Sequence, residues 1–194
     1  MALVRRLFVE KRAGFDVKAS ELKRDLIENL GVDIKELRLL YRYDVSGMQD
    51  DEFALARASV FAEPAVDAVY DEAFLMAPDA RVFAVEYLPG QYDQHADSAA
   101  QCVQLLTQKE RPQVRVAAVY VLEGNLSDAD FSRIKAYVIN PVDSREADME
   151  KPQTLETAYD VPQDVPVLEG FCALEKPELE KLHRELGLAM HPQD

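Results

Sequence analysis

The chain contains two halves of similar sequence, and a repeat of this length constrains the architecture before any local prediction does. The segment Val9–Asp16 returns as Val85–Asp93, with one inserted residue that moves the offset from 76 to 77 positions. The segment Asp50–Val60 returns as Asp128–Val138 at an offset of 78 positions. Because the matching segments keep their order along the chain, we predict two tandem copies of one unit.

Both halves have hydrophobic patterns that predict the element order β-α-β-α-β, and therefore an α+β fold. In the first half, strands are predicted at 3–11, 37–45 and 66–70, and helices at about 19–30 and 50–59. In the second half, strands are predicted at 81–87 and 113–123, and helices at 96–108 and from residue 127. The two repeats span about 1–75 and 76–143, so the predicted domain is 1–143.

Predicted helix ends rest on local signals. Asp16 is available to cap the first helix, and Gly31 stops it. Ser127 and Asp130 have the spacing of a capping box, in which each side chain binds the other residue's backbone amide.

Proline becomes frequent after the second half, since six of the ten prolines lie between Pro141 and Pro192. We therefore predict that 144–194 is a linker, extended over 144–170, with a helix at about 177–186. Leu179, Leu182 and Leu186 share one face of that helix, which needs a neighbour to cover it.

The formal net charge of −14 disfavours nucleic acid and anionic membranes as partners, because both bind clustered Lys and Arg. The apolar runs are far shorter than the roughly 18 residues of a membrane span. The first ten residues lack the pattern of a signal peptide, and two cysteines are too few for a disulfide framework. We therefore expect a cytoplasmic protein.

No catalytic, cofactor-binding or metal-binding residue is predicted, and no cofactor is expected in this chain. The glycines are scattered singly, without a phosphate-binding motif. The three histidines, His95, His183 and His191, lack the spacing of a zinc site. Cys102 stands at a helical position among apolar residues, where core packing explains it better than a role as nucleophile.

Three sets of residues each allow two interpretations. The acidic run Asp50-Asp51-Glu52 either stabilises a helix start or binds a cation. Aromatic residues on strands belong either to the core or to a small-molecule pocket: Tyr41, Tyr43, Phe83 and Tyr87. Basic residues near the start form either a solvated surface, which we favour, or a face that docks an acidic segment: Arg5, Arg6, Lys11, Arg12 and Lys18.

Over nearly its whole length the chain resembles the start of the large, single-chain phosphoribosylformylglycinamidine synthases of purine biosynthesis. The resemblance rests on long segments in a shared order. These are 5–11 with 14–16, 41–45, 60–67, 87–94, 96–102 and 139–146.

In that family the amino-terminal domain is similar to a fused dimer of a small separate subunit, PurS, and a linker domain follows it. The resemblance thus implies two tandem PurS-like repeats that form a pseudo-dimer. The family uses ATP, with Mg, and glutamine to convert formylglycinamide ribonucleotide to formylglycinamidine ribonucleotide, in synthase and glutaminase domains further along the polypeptide. This chain alone is therefore expected to be inactive, with those domains as its partners.

Two other interpretations remain open. The chain is alternatively a stand-alone PurS-type assembly subunit that binds separate synthase and glutaminase chains. A third possibility is an enzyme in its own right, which the missing motifs disfavour.

Overall fold

The computed structural model describes residues 3–156 and 167–187, and internal contacts divide the chain into two units, Met1–Glu156 and Thr157–Asp194. The first unit has six strands: β1 (Arg5–Lys11), β2 (Ile34–Ser46), β3 (Asp67–Asp71), β4 (Arg81–Tyr87), β5 (Gln113–Gly124) and β6 (Ser144–Ala147). Its helices are α1 (Val17–Leu30), α2 (Asp50–Ser59), α3 (Gln94–Thr107) and α4 (Asp128–Val138). The predicted α+β class is confirmed, and the order β-α-β-α-β occurs twice.

All six strands form one antiparallel sheet in the order β3-β1-β2-β5-β4-β6. This order is symmetric about the central pair β2 and β5, because the remaining strands follow in the same sequence on either side. Within the central pair, Tyr41 lies opposite Ala118, which is 77 positions later in the chain.

The pairing register is the same in both halves. Leu7 of β1 pairs with Tyr43 of β2. Phe83, 76 positions after Leu7, pairs with Tyr120, 77 positions after Tyr43. The same two offsets relate the outer pairs Phe8–Tyr70 and Ala84–Ala147. Since a slip of one residue would turn every side chain to the opposite face, this agreement also fixes which positions of the two halves are equivalent.

The four helices of the first unit cover one face of the sheet, over two apolar cores that each draw on both halves. The first core contains Leu7, Val9, Val45, Met48, Ala56, Phe61 and Ala62 from the first half and Ala99 and Val103 from the second. The second contains Ala19, Leu26, Val32, Ile34 and Leu37 from the first half and Phe83, Leu122, Leu126 and Ile134 from the second. Thus α2 and α3 share one core, and α1 and α4 share the other.

The opposite face of the sheet has no helix among the described residues, yet it is also buried. Its apolar core contains Phe8, Leu40, Ala84, Ala117, Val119, Val121 and Ala147. Phe74 and Ala80, from the segment between β3 and β4, pack on this core, and so does Met149, which follows β6. We call this side the second face.

Helix starts follow the local signals with one difference. The Ser127–Asp130 capping box is present, with the Asp130 amide 3.1 Å from Ser127 Oγ. The α1 start is different: the Asp16 side chain caps no helical amide and instead accepts from the Gly14 amide at 2.9 Å. Gly31 ends α1 in the left-handed conformation, as predicted.

Strand β6 follows directly after residue 143, so the first part of the predicted linker pairs with β4. Linker residues 157–166 lie outside the described residues. In the second unit, α5 spans Lys176–Leu186, with Pro177 in its first turn and Gly187 as its left-handed C-cap. Helix α5 has no buried residue, and Leu186 is exposed.

Candidate functional site

A cavity of about 580 Å³ lies on the helix-covered face, next to the first turn of α1. Leu39, Tyr41 and Tyr43 of β2 form part of its wall, and Val17 and Lys18 of α1 form another part. Its volume lies within the range of small-molecule pockets, roughly 300–1,000 Å³.

Tyr41 is contacted by equivalent positions of both halves. Lys18 Nζ lies 3.3 Å from the Tyr41 hydroxyl oxygen, and the His95 ring centroid lies 4.8 Å from that of Tyr41. Lys18 and His95 are the second residues of α1 and α3 and stand 77 positions apart. The starts of both helices therefore meet over the residue at the centre of the sheet.

Two pairs of ionic groups that line the cavity bind each other, Lys11 with Asp67 and Arg38 with Glu10. Asp67 is buried, and one of its carboxylate oxygens accepts from the Glu63 amide at 2.8 Å. Lys11 Nζ lies 2.7 Å from the other oxygen; the contact lacks hydrogen-bond geometry, but two opposite charges this close form an ion pair. Burial raises the pKa of Tyr43 to about 12.

A buried ionic cluster, formed by Arg6, Asp44 and Arg42, lies on the second face. Arg6 donates through Nε and Nη2 to the two oxygens of Asp44, at 2.6 and 2.8 Å. Arg42 Nε lies 3.4 Å from Asp44, close enough for charge attraction although its geometry is not that of a hydrogen bond. All three residues are at most 5% exposed, and burial lowers the pKa of Arg42.

The cluster binds the segment that follows β6, which we call the strap (148–155). Arg6 Nη1 donates to the Met149 carbonyl at 2.6 Å, and Arg42 Nη1 donates to the Asp148 carbonyl, also at 2.6 Å. Each cation thus meets a backbone dipole. The two guanidinium groups and one carboxylate leave a net positive charge, which these carbonyl oxygens help to solvate in the interior.

Two further contacts extend this binding along the strap. Arg6 Nη2 also donates to the Glu150 carbonyl at 3.1 Å, and Arg115 donates to the Leu155 carbonyl at 2.8 Å. The side chain of Leu155 is itself buried. The hydrogen bonds that Arg6 and Arg42 donate to the strap all end on main-chain oxygens, so they require an extended backbone at these positions.

The basic residues singled out in the sequence do not form one solvated surface. Arg6 is buried on the second face, whereas its neighbour Arg5 pairs with Asp50 and donates to the Met48 carbonyl at 2.7 Å. Neighbouring strand residues point to opposite faces, which separates the two. The expectation of a solvated surface is therefore wrong for Arg6.

The acidic run, the strand aromatics and Cys102 lie in different environments. Asp50, Asp51 and Glu52 form the first turn of α2, and Phe83 is buried, while Tyr87 is half-exposed. The core position expected for Cys102 is wrong: α3 turns Val103 inward and leaves the cysteine exposed.

The buried ionic cluster was not predicted from the sequence. The available signal was the strand alternation, which sets Leu40, Arg42 and Asp44 on the side of β2 opposite Tyr41 and Tyr43. A long central strand has both faces covered, so charged residues there have to pair.

Residues 3–156 and 167–187 contain no group of three or more His, Cys, Asp or Glu arranged to hold a metal ion. His191 lies outside these residues. No helix in the described part of the chain is long and apolar enough to cross a membrane. Compared with known proteins, the chain matches no family model and no curated protein.

Proposed function

We propose that the chain is the non-catalytic amino-terminal scaffold region of a phosphoribosylformylglycinamidine synthase in cytoplasmic purine biosynthesis. In this role it holds the synthase and glutaminase domains together, and ATP, Mg and glutamine act in those domains. The residues of the sequence resemblance remain its starting point, and the geometry of the first unit adds support.

The observation that carries the proposal is the shared register of the two halves. A fused dimer of one β-α-β-α-β unit requires equal pairing within each half and a central pair related by symmetry. The first unit has both features, with offsets of 76 and 77 positions throughout. Pairing of this kind is what a PurS-like pseudo-dimer would have.

The mixed cores support the same interpretation. Since α1 and α4 share one core and α2 and α3 share the other, neither half buries its apolar surface alone. Symmetric dimers with an obligate interface have this property, because the interface resembles a domain core cut in two.

The test is a glutamine- and ATP-dependent assay of formylglycinamidine ribonucleotide formation. The enzyme is a synthase from which the region resembling residues 1–194 has been deleted, assayed alone and with this chain added. We expect neither piece to be active alone and the mixture to be active. Activity of this chain alone would contradict the proposal, as would no gain on mixing when both pieces are folded and a covalently joined control is active.

A second arm of the assay addresses the stand-alone subunit. Here the chain is added to separately expressed synthase and glutaminase chains. If these become active with it, while the deleted single-chain enzyme does not, the chain is an assembly subunit of the PurS type.

A further inference from the structure

The buried ionic cluster of the first half has an apolar counterpart at the equivalent positions of the second half. Arg6 lies opposite Asp44 in the β1–β2 ladder. At offsets of 76 and 77 positions, Val82 lies opposite Val121 in the β4–β5 ladder. The equivalent of the third member, Arg42, is Val119.

The three equivalent strand positions are therefore occupied by ionic side chains in the first half and by valines in the second half. Val119 and Val121 are fully buried, and Val82 packs against the same core on the second face. Buried ion clusters can often be replaced by apolar residues of similar volume without loss of stability. The second half shows that three valines are compatible with these strands and this register.

The ionic half differs from the valine half because its arginines bind the strap. The arginines donate four hydrogen bonds to strap carbonyls, three from the cluster and one from Arg115. The described strap residues form no strand. The arginine side chains therefore supply the hydrogen-bond donors that the backbone amides of a neighbouring strand supply in a β-ladder. In the valine half no guanidinium is available at the three equivalent positions.

We propose that the second face of the first half is a binding site for an extended, acidic polypeptide segment, and that Arg6, Asp44 and Arg42 serve this recognition and not the fold. Its occupant is the chain's own strap. Charge complementarity supports this choice, since the strap contains Asp148 and Glu150 against a single lysine and is followed by Glu156.

Two apolar anchors set the register of the bound segment. Met149 packs on the core of the second face, and Leu155, six positions later, is buried. Between them Lys151 pairs with Glu72 at 2.7 Å, which ties the strap to the segment that follows β3. The site thus fixes where the chain leaves the sheet. It concerns residues 3–156 alone and needs no synthase or glutaminase domain.

The test is limited proteolysis of the full chain with a glutamyl endopeptidase, which cleaves after Glu150. The main variant, Arg6→Val with Arg42→Val and Asp44→Val, copies the valine half. We expect cleavage after Glu150 to become at least tenfold faster because the strap is released, whereas the amide exchange of β2 and β5 stays near that of the unmodified chain.

A second variant does not depend on a core substitution. Arg115 is exposed, so Arg115→Ala is expected to fold, and it removes the hydrogen bond to the Leu155 carbonyl. Cleavage after Glu156 should become faster while cleavage after Glu150 stays within twofold. Arg38→Ala is the matched control, because Arg38 donates to the Leu75 carbonyl in the other crossing segment and to no strap residue.

Three results would overturn the proposal. The first is an unchanged cleavage rate after Glu150 in a folded triple-valine variant, which would mean that other contacts hold the strap. The second is unfolding of that variant, since the cluster would then be part of the fold. The third is an equal acceleration by Arg38→Ala, which would reflect general loosening.

Discussion

Arg6 and Asp44 lie directly opposite each other on β1 and β2 and form a two-point salt bridge, with both side chains almost fully buried. Asp44 is the only carboxylate of the cluster, so Asp44→Ala leaves Arg6 and Arg42 without their counter-charge. We expect a loss of about 3–5 kcal/mol in the free energy of unfolding, measured in urea.

A control at an exposed ion pair separates burial from charge. Asp50 pairs with Arg5 but is almost fully exposed, so Asp50→Ala should cost at most about 1 kcal/mol. Equal losses in the two variants would contradict the role given to burial.

Two half-buried tyrosines, Tyr43 and Tyr120, lower the free energy of unfolding at alkaline pH. Burial raises the pKa of Tyr43 and of Tyr120 to about 12, from an ordinary value of 10. Below pH 10 both phenols keep their protons in the folded and in the unfolded state, and the two tyrosines cause no loss of stability. Between pH 10 and 12 the unfolded chain loses these protons first, so stability falls by up to about 1.4 kcal/mol per pH unit for each tyrosine.

The measurement is the free energy of unfolding between pH 9 and 12. The double variant Tyr43→Phe, Tyr120→Phe should have a shallower decline than the unmodified chain. Tyr87→Phe, at a half-exposed side chain, is the control and should keep the original slope. An unchanged slope in the double variant would mean that other groups cause the decline.

The end of β5 needs glycine because another strand passes too close. A Cβ at Gly124 would overlap the Asp33 carbonyl oxygen and lie 3.0 Å from Ile34 Cα. Both are backbone atoms and cannot turn away, so Gly124→Ala should cost about 3 kcal/mol. At Gly90 no atom lies within 4 Å of the added Cβ. Gly90→Ala then reports the cost of positive φ alone, and thermal unfolding of both variants should show the larger loss at Gly124.

The capping box of α4 is a local contribution that can be tested by itself. Ser127→Ala removes the oxygen that binds the Asp130 amide, and we expect a loss of about 1 kcal/mol in urea unfolding. Ser132→Ala is the matched control, because the Ser132 hydroxyl bonds a carbonyl within the helix and caps no amide. A loss at Ser132 as large as that at Ser127 would contradict the cap.

The mixed cores predict that the halves depend on each other. Fragments 1–75 and 76–156, expressed separately, should lack cooperative unfolding and recover it on mixing, because each core needs residues from both. Circular dichroism during thermal unfolding provides the measurement. Cooperative unfolding of either fragment alone, at concentrations where it stays monomeric, would show that one half closes its own core.

Local structure followed from the sequence by itself. The periodicity and the breaker residues predicted α2 at 50–59 and β4 at 81–87 with the bounds that the structure has. The cap at Ser127 and the stop at Gly31 were also local, because each depends on hydrogen bonds between residues a few positions apart. The internal repeat indicated which segments are equivalent.

Only the tertiary structure decided how the equivalent segments meet. The sharing of cores between α1 and α4 and between α2 and α3 depends on the central pairing of β2 with β5, which periodicity does not encode. The burial of Arg6 depends on Asp44, 38 positions away, and on strap carbonyls more than 140 positions away. A charged residue on a strand is compatible with a solvated face or a buried pair, and the cost of removing its charge from water is met only where the folded chain brings the partners together.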